Sequence, residues 1–240
     1  MRYGIITDVH ANLQALHALW AFAKEQNIDE VFCAGDIVGC GGNPQECIEF
    51  IKDNGIVAIA GNHDWAVCGK RSLDFFDMEG QEVVLWTRQQ LTQENIEYLQ
   101  NLPIVFKIEH FTMVHATLND PEKFMSVDDE EDLIATFHYM QEQVCFIGHT
   151  HEPSIMMREH EQITYPGDFV VLEPHAKYLV NAGSAGQPRD NNPKACIVIY
   201  DTQTATISIK RVDYDIEGAQ QAIIKAGLPK QLSDRLAVGQ

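Results

Sequence analysis

The chain opens Arg2-Tyr3-Gly4-Ile5-Ile6-Thr7-Asp8-Val9-His10, an apolar run that ends in a carboxylate and an imidazole. The pattern recurs twice before residue 65. Glu30-Val31-Phe32-Cys33-Ala34 leads into Gly35-Asp36, and Ile56-Val57-Ala58-Ile59-Ala60 leads into Gly61-Asn62-His63-Asp64. Between these strand-like runs lie helical patterns. Residues 12–26 place Leu13, Leu16, Trp20 and Ala23 on one face behind an Asn12 cap. Residues 43–53 begin Asn43-Pro44-Gln45-Glu46, which reads as an N-cap, an N1 proline and an N3 glutamate reaching back. Such a β-α-β-α-β order predicts parallel strands joined by right-handed crossovers.

Further helices are predicted near residues 80–90 and, behind a Thr92 cap, 93–101. Strands follow at 104–109 and 111–114, with His110 at the tight turn, then a loop over 116–127, a helix over 128–141 and a strand over 144–147. Beyond His151 come short strand-like runs near 154–157, 162–165, 169–172, 178–181, 196–200 and 205–212. Turns separate them, which predicts a mainly antiparallel second half. A helix over 216–226 and a short one after Pro229 close the chain. With no internal repeat and no Pro/Gly/Ser linker, residues 1–240 are expected to form a single domain. Its class is α/β (α+β), a sandwich of two sheets with helices outside.

Seventeen Lys and Arg against 35 Asp and Glu give the 240 residues a net charge of −18. That excludes a wide electropositive face for duplex nucleic acid or an anionic membrane. A phosphate-bearing substrate stays compatible, because a bound cation reverses the sign of a small site. No stretch approaches the roughly 18 apolar residues of a membrane span. The N-terminus lacks the basic-then-apolar pattern of a secretory signal. The six cysteines form no Cys-x-x-Cys pair, so they read as reduced thiols filling the core, and the cytoplasm is the expected compartment.

The informative residues all follow a strand. Asp8 and His10 follow the first, Asp36 the second, Asn62 and His63 the third, His115 the run 111–114, and His149 and His151 the run 144–147. In open α/β sheets ligands bind beyond the carboxyl ends of the strands, so these loops are expected to pool their side chains at one edge. Imidazole nitrogen with carboxylate and amide oxygen suits Mn, Fe, Zn, Co or Ni. With no thiolate in the set, a closed structural zinc site is not expected. A carboxylate such as Asp36 can bridge two ions, and two such ions clamp a phosphoryl group. Taken singly, Asp-x-His is a weak signal, Gly-Asp is usually a turn, and Asn62-His63-Asp64 could be a hydrogen-bonded turn. Their joint occurrence, always past a strand, carries the reading.

The series Asp8-x-His10, Gly35-Asp36, Gly61-Asn62-His63-Asp64, His115, Gly148-His149-x-His151 resembles the motif set of the calcineurin-like metallophosphoesterase superfamily. Asn181-Ala182-Gly183-Ser184-Ala185-Gly186-Gln187-Pro188-Arg189 is similar to a segment of its small bacterial and archaeal phosphodiesterase-like members. The resemblance covers roughly residues 1–200. It implies a four-layer α/β/β/α sandwich of two mixed sheets flanked by helices. It also implies two divalent ions per chain, with Mn favoured: Asp8, His10 and His151 on one, Asn62, His115 and His149 on the other, and Asp36 bridging. His63 is left unliganded, facing the phosphoryl oxygens or the leaving group as the catalytic residue. The implied reaction is hydrolysis of a small phosphoester, most of all a phosphodiester, by attack of a metal-bound hydroxide.

The chain departs from the family pattern at two places. Ala182 stands where the subgroup carries proline. The block from Gly35 to Gly41 lacks the aspartate and arginine that the protein-phosphatase branch uses to orient its histidine and grip phosphate, which argues against phosphoprotein phosphatase activity. Arg189 is a candidate phosphate contact, the loop 116–127 with Phe124 a candidate lid, and Trp65, Phe75, Phe76 and Trp86 a candidate apolar wall. His17, His110, His138, His160 and His175 have no neighbours at ligand spacing. Two competing readings are a phosphoesterase-fold binding scaffold and a nuclease. All eight site positions are filled, against the first. No basic surface is present, against the second. The order Asp-x-His first and His-x-His late also argues against an amidohydrolase barrel.

Overall fold

The computed structural model describes residues 1–240, and its strands fall into two six-stranded mixed sheets. The first half contributes β1 (Arg2–Ile6), α1 (Leu13–Glu25), β2 (Glu30–Cys33), α2 (Pro44–Asp53), β3 (Val57–Ala58), α3 (Asn62–Val67), α4 (Met78–Gln90), α5 (Gln93–Asn101), β4 (Val105–Ile108) and β5 (Phe111–Val114). The second half contributes α6 (Glu130–Tyr139), β6 (Val144–Ile147), β7 (Ser154–Glu159), β8 (Gln162–Thr164), β9 (Phe169–Val171), β10 (Lys177–Asn181), β11 (Ala195–Asp201), β12 (Thr206–Val212), α7 (Ile216–Lys225) and α8 (Lys230–Asp234). One sheet runs β3-β2-β1-β11-β12-β9 and the other β4-β5-β6-β10-β7-β8.

Side-chain alternation sorts these strands into layers. In β1, Tyr3 and Ile5 point to the interface between the sheets, while Ile6 packs on the helices outside. In β6, Val144 and Phe146 face that interface, whereas Cys145 and Ile147 meet Leu133 and Phe137 of α6. Helices α1 and α2 cover the first sheet and α6 the second, which makes the α/β/β/α sandwich. The middle is aromatic: Phe146 lies 5.2 Å from Phe111 and 5.9 Å from Tyr200, ring centre to ring centre.

Strand direction decides where the chemistry sits. β1, β2 and β3 are parallel to one another, and so are β5, β6 and β10. The second half is mainly antiparallel as expected, with β10 alongside β6 as its parallel exception.

Three local expectations change. The run 56–60 pairs only over Val57–Ala58, because Ala60 turns its N–H to the Pro103 carbonyl, 2.8 Å away, instead of continuing the ladder. Asn43 and Pro44 do start α2, but the Asn43 side chain donates to Glu46 at 3.4 Å rather than capping the backbone. Asn62-His63-Asp64 is the first turn of a helix rather than a loop.

Removing the ring at the centre of the sandwich leaves a cavity between two rigid sheets. Phe146→Ala is expected to cost about 3–5 kcal/mol. Denaturant unfolding should show a lower midpoint with an unchanged slope; a loss under about 1 kcal/mol would mean that the sheets repack around the gap.

Candidate metal centre and active site

Asp8 and His10 leave β1, Asp36 leaves β2, Asn62 and His63 open α3 just past β3, His115 leaves β5, and His149 and His151 leave β6. Backbone hydrogen bonds lock these loops side by side. The N–H groups of Asp8, His10 and Ala11 donate to the carbonyls of Gly35, Asp36 and Ile37, each at 2.9 Å. The segment after β10 ties the two sheets together at this edge. Ser184 Oγ and the Gly186 N–H both donate to the Asp8 carbonyl at 2.9 Å, and Asn181 Nδ2 donates to the Gly148 carbonyl at 3.0 Å.

The loops hold an uncommon backbone geometry. Asp8 (φ 51°), His10 (48°), Asp36 (52°), Cys40 (57°), His149 (70°) and His151 (63°) all lie in the left-handed region. Side chains other than glycine there cost about 1–3 kcal/mol each, so the surrounding bonds must enforce the shape. Close approach does the rest: a Cβ on Gly61 would stand 2.0 Å from Asp36 Oδ1.

The polar atoms of the site face one another. His115 Nδ1 lies 2.8 Å from the Ala34 carbonyl, His151 Nδ1 2.6 Å from the Gln187 carbonyl, and His10 Nδ1 3.3 Å from the Val38 carbonyl. A carbonyl only accepts, so each Nδ1 carries a proton and, in the neutral ring that binds a cation, each Nε2 presents a lone pair inward. Yet His10 Nε2 and His151 Nε2 are 3.0 Å apart, and Asp8 Oδ1 is 3.1 Å from His151 Nε2 and 3.6 Å from His10 Nε2. Asp8 Oδ1 is buried without a hydrogen-bond donor. On the other side Asn62 Oδ1 lies 3.2 Å from His115 Nε2 and 3.0 Å from His149 Nδ1. Asp36 Oδ2 approaches one histidine of each group, His115 at 3.4 Å and His10 at 3.7 Å. Buried acceptors at such separations repel unless positive charge lies among them. The local field is negative: burial opposes protonation of His115, yet the charges of Asp36 and Asp8 lift its pKa to about 9. Two closely spaced nitrogen and oxygen donor sets of this kind form a site for two divalent metal ions.

His63 lies outside the two sets just described and shares a further cluster with His10 and Cys40. Its N–H donates to Asp36 Oδ1 at 2.8 Å, and its ring stands edge-on between His10 (4.8 Å) and Phe76 (4.9 Å). Burial drives its imidazole pKa down to about 3. His63 Nδ1 is buried without a partner beside Gly39, the place where a phosphatase-type aspartate would stand.

The eight residues singled out from sequence thus come together. A cavity of about 310 Å³ opens beside them, lined by Asp36, Asn62, His63, His149 and His151 and walled by Phe75 and Phe76. Trp65 and Trp86 are not part of that wall. Trp65 packs edge-on against Phe124, and Trp86 lies against the C-terminal helices. The loop 116–127 is pinned down, because Phe124 is buried against His115 and Arg71 donates to the carbonyls of Glu122 and Lys123.

Some site residues escaped the sequence reading. Cys40, expected as core filler, lies with His10 and His63; its signal was the Gly39-Cys40-Gly41 turn just after a ligand block. Buried Asp64 accepts from the Gly61 N–H (2.9 Å) and the Val38 N–H (3.2 Å), which joins the second and third loops. Burial first, then the neighbouring Asp36 charge, raises its pKa to about 7. Arg235, near the C-terminus, lines the cavity with Arg189, and no local motif marked it.

A mixed double sheet between helices, with paired nitrogen and oxygen donor sets at the strand ends, defines a metal-dependent phosphoesterase. The chain belongs to the calcineurin-like phosphoesterase superfamily, whose domain it matches over residues 1–205. It is 38% identical to an uncharacterized protein of Methanocaldococcus jannaschii, over 98% of this chain and 97% of that one. The crystal structure of a metallophosphoesterase from Sphaerobacter thermophilus is 34% identical and superposes with a TM-score of 0.85, covering 100% and 99% of the two chains. A hypothetical protein from Pyrococcus horikoshii shares the fold at 20% identity and a TM-score of 0.80, over 100% and 98%. No helix is long and apolar enough to cross a membrane.

Because a methyl group at position 61 would overlap the Asp36 carboxylate, Gly61→Ala is expected to lower metal content to below one ion per chain while leaving far-ultraviolet circular dichroism unchanged. Elemental analysis of the reconstituted variant checks this, and full occupancy would show that the loop can give way.

Proposed function

We propose that the chain is a phosphodiesterase for a small substrate, with Mn²⁺ as the favoured ion, acting as a single metallophosphoesterase domain in the cytoplasm. The observation that carries this reading is the set of facing lone pairs: His10 and His151 Nε2 at 3.0 Å beside the donorless Asp8 Oδ1. In this reading Asp8, His10 and His151 hold one ion, Asn62, His115 and His149 hold the other, and Asp36 serves both. The ions supply a water of lowered pKa and a positive clamp for the phosphoryl oxygens. Carbonyl acceptors on Nδ1 of His10, His115 and His151 keep those rings oriented. His63, on the cavity side and outside both donor sets, meets the phosphoryl or leaving-group oxygen. The apolar wall of Phe75 and Phe76 gives room for the second ester group that separates a diester from a monoester. The absence of ion pairs from Asp8 or Asp36 to Lys or Arg leaves their charge for the metals, which favours an enzyme over a binding scaffold.

Purified protein with Mn²⁺ is expected to hydrolyse a simple aryl phosphodiester and to lose that activity on chelation. Full metal occupancy with no phosphoester hydrolysed would favour the scaffold. Asp36→Asn is expected to weaken both ions together; loss of one alone would end its bridging role.

His63→Ala is expected to keep both ions while lowering kcat by about 10²–10⁴-fold, the usual contribution of a general acid. Proton donation predicts a smaller loss on nitrophenyl esters than on alkyl esters. An equal loss on both would assign His63 to charge stabilisation, and parallel loss of metal would make it a ligand.

A further inference from the structure

Two guanidinium groups line the same cavity as the donor sets. Arg189 follows the Gln187-Pro188 turn, and its N–H donates to the His151 carbonyl at 3.4 Å, so its position is tied to the metal centre. Its Nη2 donates to Gln187 Oε1 at 3.0 Å, while its Nε is buried without any acceptor. Arg235 comes from the turn after α8, beyond the residues that match the superfamily domain. That segment is held firmly: Leu232 and Leu236 pack with Cys40, Val83 and Ile223, and the Asn191 N–H donates to the Gly239 carbonyl at 2.8 Å. Arg235 Nε donates to the carbonyl of Gln240. Both arginines line the cavity that holds His63 and His151, and neither pairs with an Asp or Glu carboxylate within 4.0 Å, Arg235 having only the main-chain oxygen of the final residue, Gln240.

Two half-buried cations lining one cavity without an Asp or Glu in salt-bridge contact is an unfavourable arrangement, all the more conspicuous in a chain of net charge −18. Burial and then the charge of Arg189 lower the Arg235 pKa, as expected of like charges within reach of each other. The acidic groups of the same cavity do not neutralise them. Asp77 spends one oxygen on the Gly80 N–H at 2.8 Å, at the cap of α4, and Glu79 stays unpaired at the wall.

We propose that Arg189 and Arg235 form an anion subsite next to the metal centre that binds a further phosphate of the substrate. The preferred substrate class is then a phosphoester whose scissile phosphoryl group is linked to at least one more phosphate. The assignment rests on the phosphodiesterase reading above and narrows its substrate. In this arrangement the ions take the scissile group, Arg189 is tied to His151 through its backbone, and Arg235 reaches the same cavity from the C-terminal segment. Guanidinium forks suit such a chain of phosphates, because they donate paired hydrogen bonds to adjacent oxygens.

The test uses the full chain loaded with Mn²⁺ and titrated calorimetrically with orthophosphate and with tripolyphosphate. The wild type is expected to prefer tripolyphosphate. Arg235→Gln is expected to reduce the ratio of the two affinities about tenfold, the scale of one charge-assisted hydrogen bond. Glu79→Gln, which removes a negative charge from the same wall, is expected to raise it. A ratio unmoved by either variant, or equal losses for both anions in Arg235→Gln, would overturn the subsite. If Arg235→Gln does not fold, an unmoved ratio in Glu79→Gln overturns it alone. Hydrolysis of the aryl diester, which has no second phosphate, separates the two levels. Wild-type protein that prefers tripolyphosphate but hydrolyses nothing keeps the subsite and sinks the enzyme reading. Protein that hydrolyses the diester without a tripolyphosphate preference does the reverse.

Discussion

Two imidazole lone pairs, on His10 Nε2 and His151 Nε2, meet across 3.0 Å with the donorless Asp8 Oδ1 beside them, and much of the fold works to hold them there. Acceptors do not gather in a buried place of their own accord. They are brought together by β1 and β6, strands of different sheets, whose ends are fixed by sheet packing that the loops cannot relax. Left-handed backbone at Asp8, His10, Asp36, His149 and His151 then turns each side chain back over its strand end. The segment from Asn181 to Arg189 closes the arrangement, with Ser184 and Gly186 on the Asp8 carbonyl and Asn181 on that of Gly148. Its small residues are needed because a Cβ on Gly186 would stand 1.9 Å from the Val9 carbonyl oxygen. A cation satisfies at once all the groups that this geometry leaves unpaired, so the metal site and the strained loops are one energetic unit.

What was legible in the sequence was whatever depends on local periodicity. Apolar strands ending in Asp, Asn or His gave the first sheet, the donor set and its location. The helices read well where Asn12 and Thr92 cap them through their side chains, while the helix expected from residue 128 starts at Glu130 behind an Asp129 cap. Failures came where a distant partner decides. The third strand stops early because Pro103, from another part of the chain, takes the Ala60 N–H. Cys40 looked like any buried thiol, and only the fold puts it beside His10 and His63. Phe124, in the candidate lid loop, is buried, with the Trp65 ring and the Arg71 guanidinium against it, contacts that no local pattern shows. Arg235 lies in a C-terminal segment with no motif, and its meaning depends on α7 and α8 folding back over Cys40.

The strongly acidic composition does not oppose a phosphate-bearing substrate, because the two effects act over different distances. In physiological salt, surface charges are screened beyond about 8 Å. The cleft is local: in the proposed holoenzyme two divalent ions, with Arg189 and Arg235, would outweigh the carboxylates that line it. The remaining surface carries the excess acid. An acidic surface disfavours long polyanions such as duplex nucleic acid, whereas a short anion, as the proposed substrate would be, meets mainly the charge of the cleft.

The orientation of His63 is the remaining constraint. In the protein-phosphatase branch an aspartate orients this ring; here Gly39 occupies that place, and a Cβ on it would stand 2.7 Å from His63 Nδ1. The ring is therefore held by shape, between the edges of His10 and Phe76, and by the bond from its own N–H to Asp36. Nδ1 has no partner in either tautomer. The ring nitrogen that can gain one is Nε2, on the cavity side, and in the neutral ring an N–H there donates a hydrogen bond to a substrate oxygen; transfer of the proton itself requires the ring to be doubly protonated first. In the proposed mechanism the ring thus waits in its donor form without a carboxylate behind it. It also depends on Asp36 twice, through the backbone that sets its position and through the ions that the same carboxylate serves. Substitution at Asp36 and at His63 is for that reason expected to be non-additive: the double variant Asp36→Asn, His63→Ala should lose little more kcat than Asp36→Asn alone. Losses that multiply in full would mean that His63 keeps its alignment without the Asp36 carboxylate.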